Sequence, residues 1–197
     1  QTCALPIFNG NSIDPELDKL PDETIAIKNY FLHSIPLCSF YVDDWFIQHM
    51  RYKFLSHISN KSLPDQKIFI SRADAPGRTT TNEDEIFALF EPYGFKRYVL
   101  TGMPILEQVA LFHNAHTVVA THGSALNHII FCRPNSNIIE IFQNRSDSCF
   151  YYLSQQIGLN HFCIKTEEFT QIEGQYSSPI NPDVIQKFIN EHKEIFL

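Results

Sequence analysis

From Lys67 onward, short apolar segments alternate with amphipathic ones about every 20 to 25 residues, and this rhythm limits the possible folds more than any other feature. It predicts a Rossmann-like parallel sheet with helices on both faces, because parallel strands are joined by helical crossovers. The apolar run at 117–120 predicts a strand buried on both faces. The predicted strands lie at 67–70, 95–100, 117–120, 137–142 and 161–165, and the helices at 81–90, 104–114, 124–131, 149–157 and 183–193.

Local signals place several helix ends. Thr81 and Asp84 have the spacing of a capping box, and Gly94 favours a left-handed cap after the first helix of the repeat. Pro104 suits the first turn of the next helix. A further helix is predicted upstream at 43–58, with Asp43 or its neighbour Asp44 as the N-cap.

Composition restricts the class of protein. The chain has 197 residues, of which 44% are hydrophobic and 19% charged, as expected of a globular domain with a sizeable core. The formal net charge of −7 disfavours a nucleic-acid partner, since nucleic-acid-binding proteins present a basic face. A single local basic pocket remains compatible with this balance.

Five cysteines are scattered without a C-x-x-C pair, which excludes zinc knuckles and thioredoxin-like redox motifs. Isolated cysteines favour reduced thiols and a cytoplasmic protein. The apolar runs are too short to span a bilayer, so no transmembrane segment is expected. Any membrane association would come from missing parts or partners.

A polar segment with two arginines directly follows the first predicted strand. It begins at Ser71-Arg72 and continues through a Pro-Gly turn to Arg78, and Asn82-Glu83 then lies at the start of a helix. Guanidinium forks bind phosphate oxygens bidentately, and free amides at a helix start favour anions. The segment therefore predicts a phosphate site at a strand end, the alternative being solvated surface arginines.

A second polar cluster follows the predicted strand at 117–120. His122 stands where it could donate to a phosphate or transfer a proton. Gly123 lets a ligand approach the backbone closely, and the amides of Ser124 and Ala125 open a short helix that can receive an anion. A structural histidine remains the alternative.

Two carboxylates complete the candidate site. Glu107 begins the exposed part of a helix, where it could hold a ribose hydroxyl or simply face solvent. Glu140 lies inside the apolar strand 137–142, and a buried carboxylate there is costly without a partner. Glu140 is therefore predicted to orient an arginine or a histidine of the pocket.

Several familiar motifs are missing from the sequence. It contains no G-x-G-x-x-G, no G-x-x-x-x-G-K-[ST], no H-E-x-x-H and no G-x-S-x-G. A dinucleotide-binding fingerprint, a phosphate loop, a zinc-peptidase site and a hydrolase nucleophile elbow are thereby disfavoured. We expect neither a metal nor a cofactor.

Taken in order, the polar clusters resemble the pattern of glycosyltransferase family 61, over about residues 67–142. That pattern runs Ser-Arg after a strand, Arg, Asn-Glu, Glu-Gln, His-Gly-Ala-x-Leu-Thr-Asn and a strand with Glu. Ser124, Asn127 and His128 depart from it, standing for Ala, Thr and Asn. The positions that carry the resemblance are Ser71-Arg72, Arg78, Asn82-Glu83, Glu107-Gln108, His122-Gly123, Leu126 and Glu140.

The resemblance implies a GT-B-like enzyme with a nucleotide-sugar donor in its carboxyl-terminal half and a glycan acceptor, as in capsular polysaccharide biosynthesis. It implies metal-independent, inverting transfer in which the nucleotide sugar is a substrate rather than a cofactor. Arg72, Arg78 and the helix start after Gly123 would neutralise the departing diphosphate. His122 would act at the diphosphate or donor sugar, and Glu107 would hold ribose or base. Asp43-Asp44 superficially matches the acidic motif of metal-dependent glycosyltransferases, but its place at a helix start favours capping.

The resemblance also suggests how the chain is organised. Residues 1–7 read like a translated sequencing adapter and are expected to be a non-native scar. Residues 8–60 are interpreted as a remnant of the amino-terminal half with its linking helix, and 61–197 as the donor-binding domain. Two alternatives stay open: a non-catalytic nucleotide-binding or interaction module, and another α/β enzyme acting on a phosphorylated small molecule.

Overall fold

A parallel β-sheet forms the centre of the molecule. The computed structural model describes residues 42–58, 66–75, 79–143, 148–166, 171–172, 175–176 and 178–196. Five strands, all paired in parallel, lie in the order β2-β1-β3-β4-β5. This confirms the predicted Rossmann-like α/β fold. The strands are β1 Gln66–Ile70, β2 Phe95–Tyr98, β3 Ala115–Thr121, β4 Asn137–Phe142 and β5 Asn160–Lys165.

Helices follow the strands as predicted, with one difference in type. The predicted helix at 149–157 has the observed bounds, whereas the segment Ser124–Phe131 is a 3₁₀ helix rather than an α-helix. A short antiparallel pair, β6 Gln171–Ile172 and β7 Gln175–Tyr176, was not predicted. The α-helices are α1 Asp44–Leu55, α2 Glu83–Phe90, α3 Ile105–His113, α4 Cys149–Ile157, α5 Pro182–Glu191 and α6 Lys193–Phe196.

Alternate residues of the central strands pack into two cores, one on each face of the sheet. Val118 of β3 and Ile138 of β4 join a core with residues of α1, α3, α4 and the 3₁₀ helix. Val119 and Ile139 join the opposite core, with residues of α2, α5 and α6. All four side chains are fully buried, which confirms that β3 is covered on both faces.

Cap residues explain most of the element boundaries. The Asp43 carboxylate accepts a 2.8 Å hydrogen bond from the Trp45 amide and caps α1, which confirms capping at this acidic pair. Gly94 has a left-handed backbone (φ 83°), as predicted. Pro104 is the N-cap of α3 rather than a first-turn residue.

The predicted capping box at Thr81 and Asp84 is wrong. The N-cap of α2 is Asn82, and its side chain makes no capping hydrogen bond. The Asn82 carboxamide instead donates to the carbonyl of Ile180 and accepts from the Ile180 amide, each at 2.8 Å. A contact with a distant part of the chain has replaced the local one.

Parallel strands bring the predicted functional segments to one edge. The segments beginning at Ser71 and His122 leave the carboxyl ends of β1 and β3, which are neighbours in the sheet. Residues 1–7, most of 8–60 and Arg78 lie outside the described residues. Among the helices that are described, none combines the length and apolar character needed to cross a bilayer.

Candidate functional site

Glu83 organises the turn that follows β1. One carboxylate oxygen accepts a 2.5 Å hydrogen bond from the Ser71 hydroxyl, and the other accepts one of 2.9 Å from the Arg72 amide. The Ser71 oxygen in turn accepts from the Ala73 amide at 3.1 Å. Glu83 is buried although it begins α2. The carboxylate therefore fixes the backbone that carries Arg72.

The Arg72 guanidinium lies directly against Gly123. A Cβ atom added at Gly123 would stand 1.8 Å from Arg72 Nη1 and 2.9 Å from Cζ, so the guanidinium occupies the space that any side chain would need. The Gly123 backbone is extended (φ 165°), and space rather than strain is what requires glycine. The two polar clusters predicted from the sequence thus lie in contact and form one candidate site.

His122 stands beside this contact and is held by Glu140. Its Nδ1 lies 2.6 Å from Glu140 Oε1, and its backbone amide donates to the Ile141 carbonyl at 2.9 Å. The imidazole packs against Phe142 and Phe150, with ring centroids 5.1 and 5.4 Å away. Its side chain retains 13% exposure. The ring is therefore fixed in position, yet part of it remains accessible.

Glu140 has a second histidine partner that the sequence did not reveal. His161 Nε2 lies 3.0 Å from Glu140 Oε2, and His161 Nδ1 lies 2.8 Å from the hydroxyl of Ser154 on α4. The side chains of Glu140 and His161 are both fully buried. Four residues thus form one hydrogen-bonded chain, which runs from His122 just after β3 through Glu140 on β4 and His161 on β5 to Ser154 on α4.

This chain assigns the histidine tautomers. An ionised Glu140 only accepts hydrogen bonds, so both imidazoles donate to it. His122 then carries its proton on Nδ1, and in the neutral ring Nε2 is left as an acceptor. His161 carries its proton on Nε2, and its Nδ1 accepts from Ser154. The arrangement equips His122 to take up a proton.

An orphaned hydroxyl lies next to the site. Thr121, the last residue of β3, is 6% exposed, and its Oγ1 has no hydrogen-bond partner among the described residues. Buried hydroxyls are normally satisfied, so this one is available to a ligand or a water. Apart from its position before His122, nothing in the sequence pattern indicates a role for this hydroxyl.

The remaining predicted residues are placed as follows. Asn82 binds the backbone of Ile180 as described above, and its amide also donates to Glu85 Oε2 at 2.8 Å. Ser124 and Ala125 open the 3₁₀ helix after Gly123. Glu107 is exposed in the first turn of α3, after the edge strand β2. Their predicted contacts with a donor stay predictions.

His128, which departs from the family pattern, has a structural environment. Its Nδ1 lies 3.1 Å from the Ala125 carbonyl, and its ring stacks on Phe112 with centroids 5.2 Å apart. Burial lowers the pKa of His128, against a smaller opposing effect of the Ala125 hydrogen bond. A neutral imidazole therefore packs here within the core.

Few of the described residues are grouped so that they could bind a metal ion. Within the described ranges, one group of three could hold a metal ion: Glu140, His161 and Cys163. Burial, and then the Glu140 carboxylate, raise the pKa of the Cys163 thiol. Asp43 and Asp44 do not belong to that group, and Asp43 is used as a helix cap.

Comparisons with known proteins identify the family of this chain. The EGF domain-specific O-linked N-acetylglucosamine transferase of Drosophila melanogaster is 28% identical over 104 residues, which cover 50% of this chain and 20% of that protein. The chain therefore corresponds to only about a fifth of that relative's length. The model of the family Glycosyltransferase 61 matches residues 9–139, more than half of the chain, including Arg72, His122 and Gly123. The chain belongs to glycosyltransferase family 61.

Proposed function

We propose that this chain carries the donor-binding part of a glycosyltransferase that moves a sugar from a nucleotide-sugar donor to a glycan acceptor. The observation that carries the proposal is the Arg72 guanidinium seated against Gly123, one residue from His122, at the carboxyl edge of the sheet. Ligands bind at that edge in open α/β sheets. In this proposal the domain is the carboxyl-terminal half of a GT-B-like enzyme.

The diphosphate leaving group is the first part of the proposed mechanism. Negative charge develops on the diphosphate as the bond to the sugar breaks, and a fixed guanidinium stabilises that charge without a metal. Glu83 supports this role because it holds the Arg72 amide. Arg78 and the amides of Ser124 and Ala125 are further proposed ligands because of their positions in the sequence, and the Thr121 hydroxyl because it is buried without a partner among the described residues.

His122 supplies the base in this mechanism. The acceptor hydroxyl oxygen attacks the anomeric carbon while the bond to the diphosphate oxygen breaks, and the electron pair of that bond leaves with the diphosphate. His122 Nε2 takes the proton of the hydroxyl, and Glu140 stabilises the resulting imidazolium through Nδ1, 2.6 Å away. A single displacement of this kind inverts the anomeric centre.

The donor to test first is suggested by the name of the Drosophila relative, and the acceptor by that name and by the family resemblance. The Drosophila relative is named as an O-linked N-acetylglucosamine transferase, so nucleotide-activated N-acetylglucosamine is the first donor to test. The family resemblance suggests a glycan acceptor in polysaccharide synthesis, whereas the relative is named for an EGF domain. An acceptor panel with both kinds of substrate would separate these possibilities.

Calorimetry on this chain tests the donor site. Titration with a panel of nucleoside diphosphates should give saturable binding, and Arg72→Ala should weaken it about 10- to 100-fold, as expected for loss of a charged hydrogen bond. Lys187→Ala is the control for loss of a surface cation, because Lys187 is exposed and pairs with Glu191 on the same helix. A folded chain that binds no nucleoside diphosphate at millimolar concentration would overturn the proposal.

Turnover by the complete gene product tests the mechanism. His122→Asn should lower kcat strongly and leave donor affinity near that of the wild type, because a base acts only in the transition state. A variant that loses donor affinity instead would make His122 a diphosphate ligand. A chelator should leave transfer intact, and its loss would contradict the metal-free scheme.

A further inference from the structure

A second chemical cluster lies on the far side of Glu140 from His122. Glu140 on β4 and Cys163 on the edge strand β5 are Cα partners in the sheet, and His161 lies two residues before Cys163, on the same face. One ligand atom of each residue lies within 4.8 Å of the others. Carboxylate, imidazole and thiolate are the three ligand types that bind zinc in proteins.

We propose that Glu140, His161 and Cys163 form a binding site for a divalent transition-metal ion of the zinc type. Glu140 would belong both to this metal site and to the pair that it forms with the proposed base, His122. The metal takes no part in the proposed sugar transfer. It would use Glu140 Oε2, whereas His122 is bound to Oε1. A bound metal and an oriented His122 are therefore compatible.

The distances suit a metal without rebuilding the sheet. Glu140 Oε2 and His161 Nε2 are 3.0 Å apart. Two ligands at the usual bond lengths of about 2.0–2.2 Å from zinc stand about 3.3 Å apart in a tetrahedral site. A cation can therefore replace the proton shared by these two atoms with a shift of a few tenths of an ångström. The Cys163 sulfur, within 4.8 Å of both, would have to approach by up to about 1 Å.

The three proposed ligands differ in solvent exposure, and solvent can reach the site from one side. Glu140 and His161 are fully buried, whereas Cys163 is exposed on the edge strand. Three protein ligands with solvent access on one side leave a fourth position for water. The metal can therefore enter from the side of Cys163.

Ser154 allows His161 to become a ligand. In the metal-free protein His161 carries its proton on Nε2, the atom that must bind the metal. Transfer of that proton to Nδ1 is accommodated by the Ser154 hydroxyl, 2.8 Å away, because a hydroxyl can accept as well as donate. The only proton released to solvent is then the one from the Cys163 thiol. Such support of a ligating histidine is usual in metal sites.

The other described cysteines provide contrasts. Burial raises the pKa of Cys132 to about 12, which keeps that thiol protonated in the core. Cys149, at the start of α4, belongs to no group of potential ligands among the described residues. Metal binding should therefore depend on Cys163 and not on Cys149.

Cobalt titration of the metal-free chain tests the site. Co²⁺ should bind with one-to-one stoichiometry and give both a thiolate-to-cobalt charge-transfer band and visible bands of tetrahedral geometry. Zn²⁺ should displace it. Cys163→Ser should abolish the charge-transfer band, while Cys149→Ser should retain it. Circular dichroism would confirm that both variants are folded.

A second variant tests the supporting role of Ser154. Ser154→Ala should keep the charge-transfer band and lower Zn²⁺ affinity about 10- to 100-fold, the usual effect of removing a group that orients a ligand. The proposal is overturned if the folded wild type gives no charge-transfer band, or if the band survives in Cys163→Ser. Nucleoside-diphosphate binding does not enter this test, so its outcome is independent of the proposed function.

Discussion

Two buried carboxylates, Glu83 at the start of α2 and Glu140 in β4, accept hydrogen bonds from different kinds of group. Glu83 receives one hydroxyl and one backbone amide, and Arg97 Nη1 approaches it to 3.8 Å. Among the described residues, Glu140 receives hydrogen bonds from two imidazoles, those of His122 and His161. The first carboxylate holds a backbone in place, and the second sets the positions of protons.

The two carboxylates therefore support different steps of the proposed mechanism. The groups held by Glu83 keep their protons at all ordinary pH values, so Glu83 contributes a constant geometry around Arg72. The groups held by Glu140 can gain or lose protons, so it determines which nitrogen of His122 is free to react. Binding of the donor should therefore depend on Glu83, and turnover on Glu140.

The largest effect is expected from Glu140→Ala. It leaves His122 and His161 without their common acceptor, and His161 has no access to solvent. The free energy of unfolding should fall by about 3 kcal/mol. Urea unfolding would measure it, with Glu140→Gln as the variant that preserves shape. A Glu140→Ala protein as stable as the wild type would show that the histidines find other partners.

Glu83→Ala should lower the free energy of unfolding by somewhat less, about 2 kcal/mol. The Ser71 hydroxyl and the Arg72 amide lose their acceptor, but this acceptor lies nearer the surface than Glu140. Nucleoside-diphosphate affinity should also fall, since the backbone that carries Arg72 loosens. Unfolding and titration of the same variant would measure both effects. Unchanged affinity in a destabilised protein would separate Glu83 from the donor site.

Ser154→Ala should lower the free energy of unfolding by about 1 kcal/mol, the usual value of one hydrogen bond. Ser154 is fully buried, and its hydroxyl contacts His161 at the end of the hydrogen-bonded chain. Turnover should change little, because the tautomer of His122 is set by Glu140 itself. A large loss of kcat would extend the catalytic network to α4.

Arg97→Ala should have the smallest effect and lower the free energy of unfolding by less than about 1 kcal/mol. Its partner Asp84 is 91% exposed, and exposed ion pairs stabilise proteins little. The Arg97 guanidinium also lies 4.9 Å from the centre of the Phe87 ring, so the change removes some packing. Thermal unfolding in low and high salt would separate the two contributions. A loss above 2 kcal/mol would mean that Arg97 helps to hold Glu83.

The fold was largely predictable from local patterns. Continuous apolar character identified β3, and the left-handed cap predicted at Gly94 is observed (φ 83°). The failures came from distant contacts. The capping box predicted at Thr81 and Asp84 is replaced by an N-cap at Asn82, whose side chain is bound to the distant Ile180.

The site was predictable only in part. The sequence placed Arg72 and His122 each directly after a strand, but their approach through Gly123 depends on β1 and β3 being neighbours in the sheet and on the register between them. His161 was recognised as a strand residue and not as a partner of Glu140. Finding it would have required the register of β4 and β5, which places the two residues diagonally on one face.

The central claim is that the guanidinium seated on Gly123 binds the donor diphosphate, and Gly123→Ala tests it most directly. The added methyl group would occupy the place of Arg72 Nη1, and the long arginine side chain can move away without unfolding the protein. Calorimetric titration of wild type and Gly123→Ala with the nucleoside diphosphate that binds best is the decisive measurement. Affinity should fall at least 10-fold in Gly123→Ala, while the unfolding temperature stays close to that of the wild type. Unchanged affinity in the folded variant would contradict the central claim.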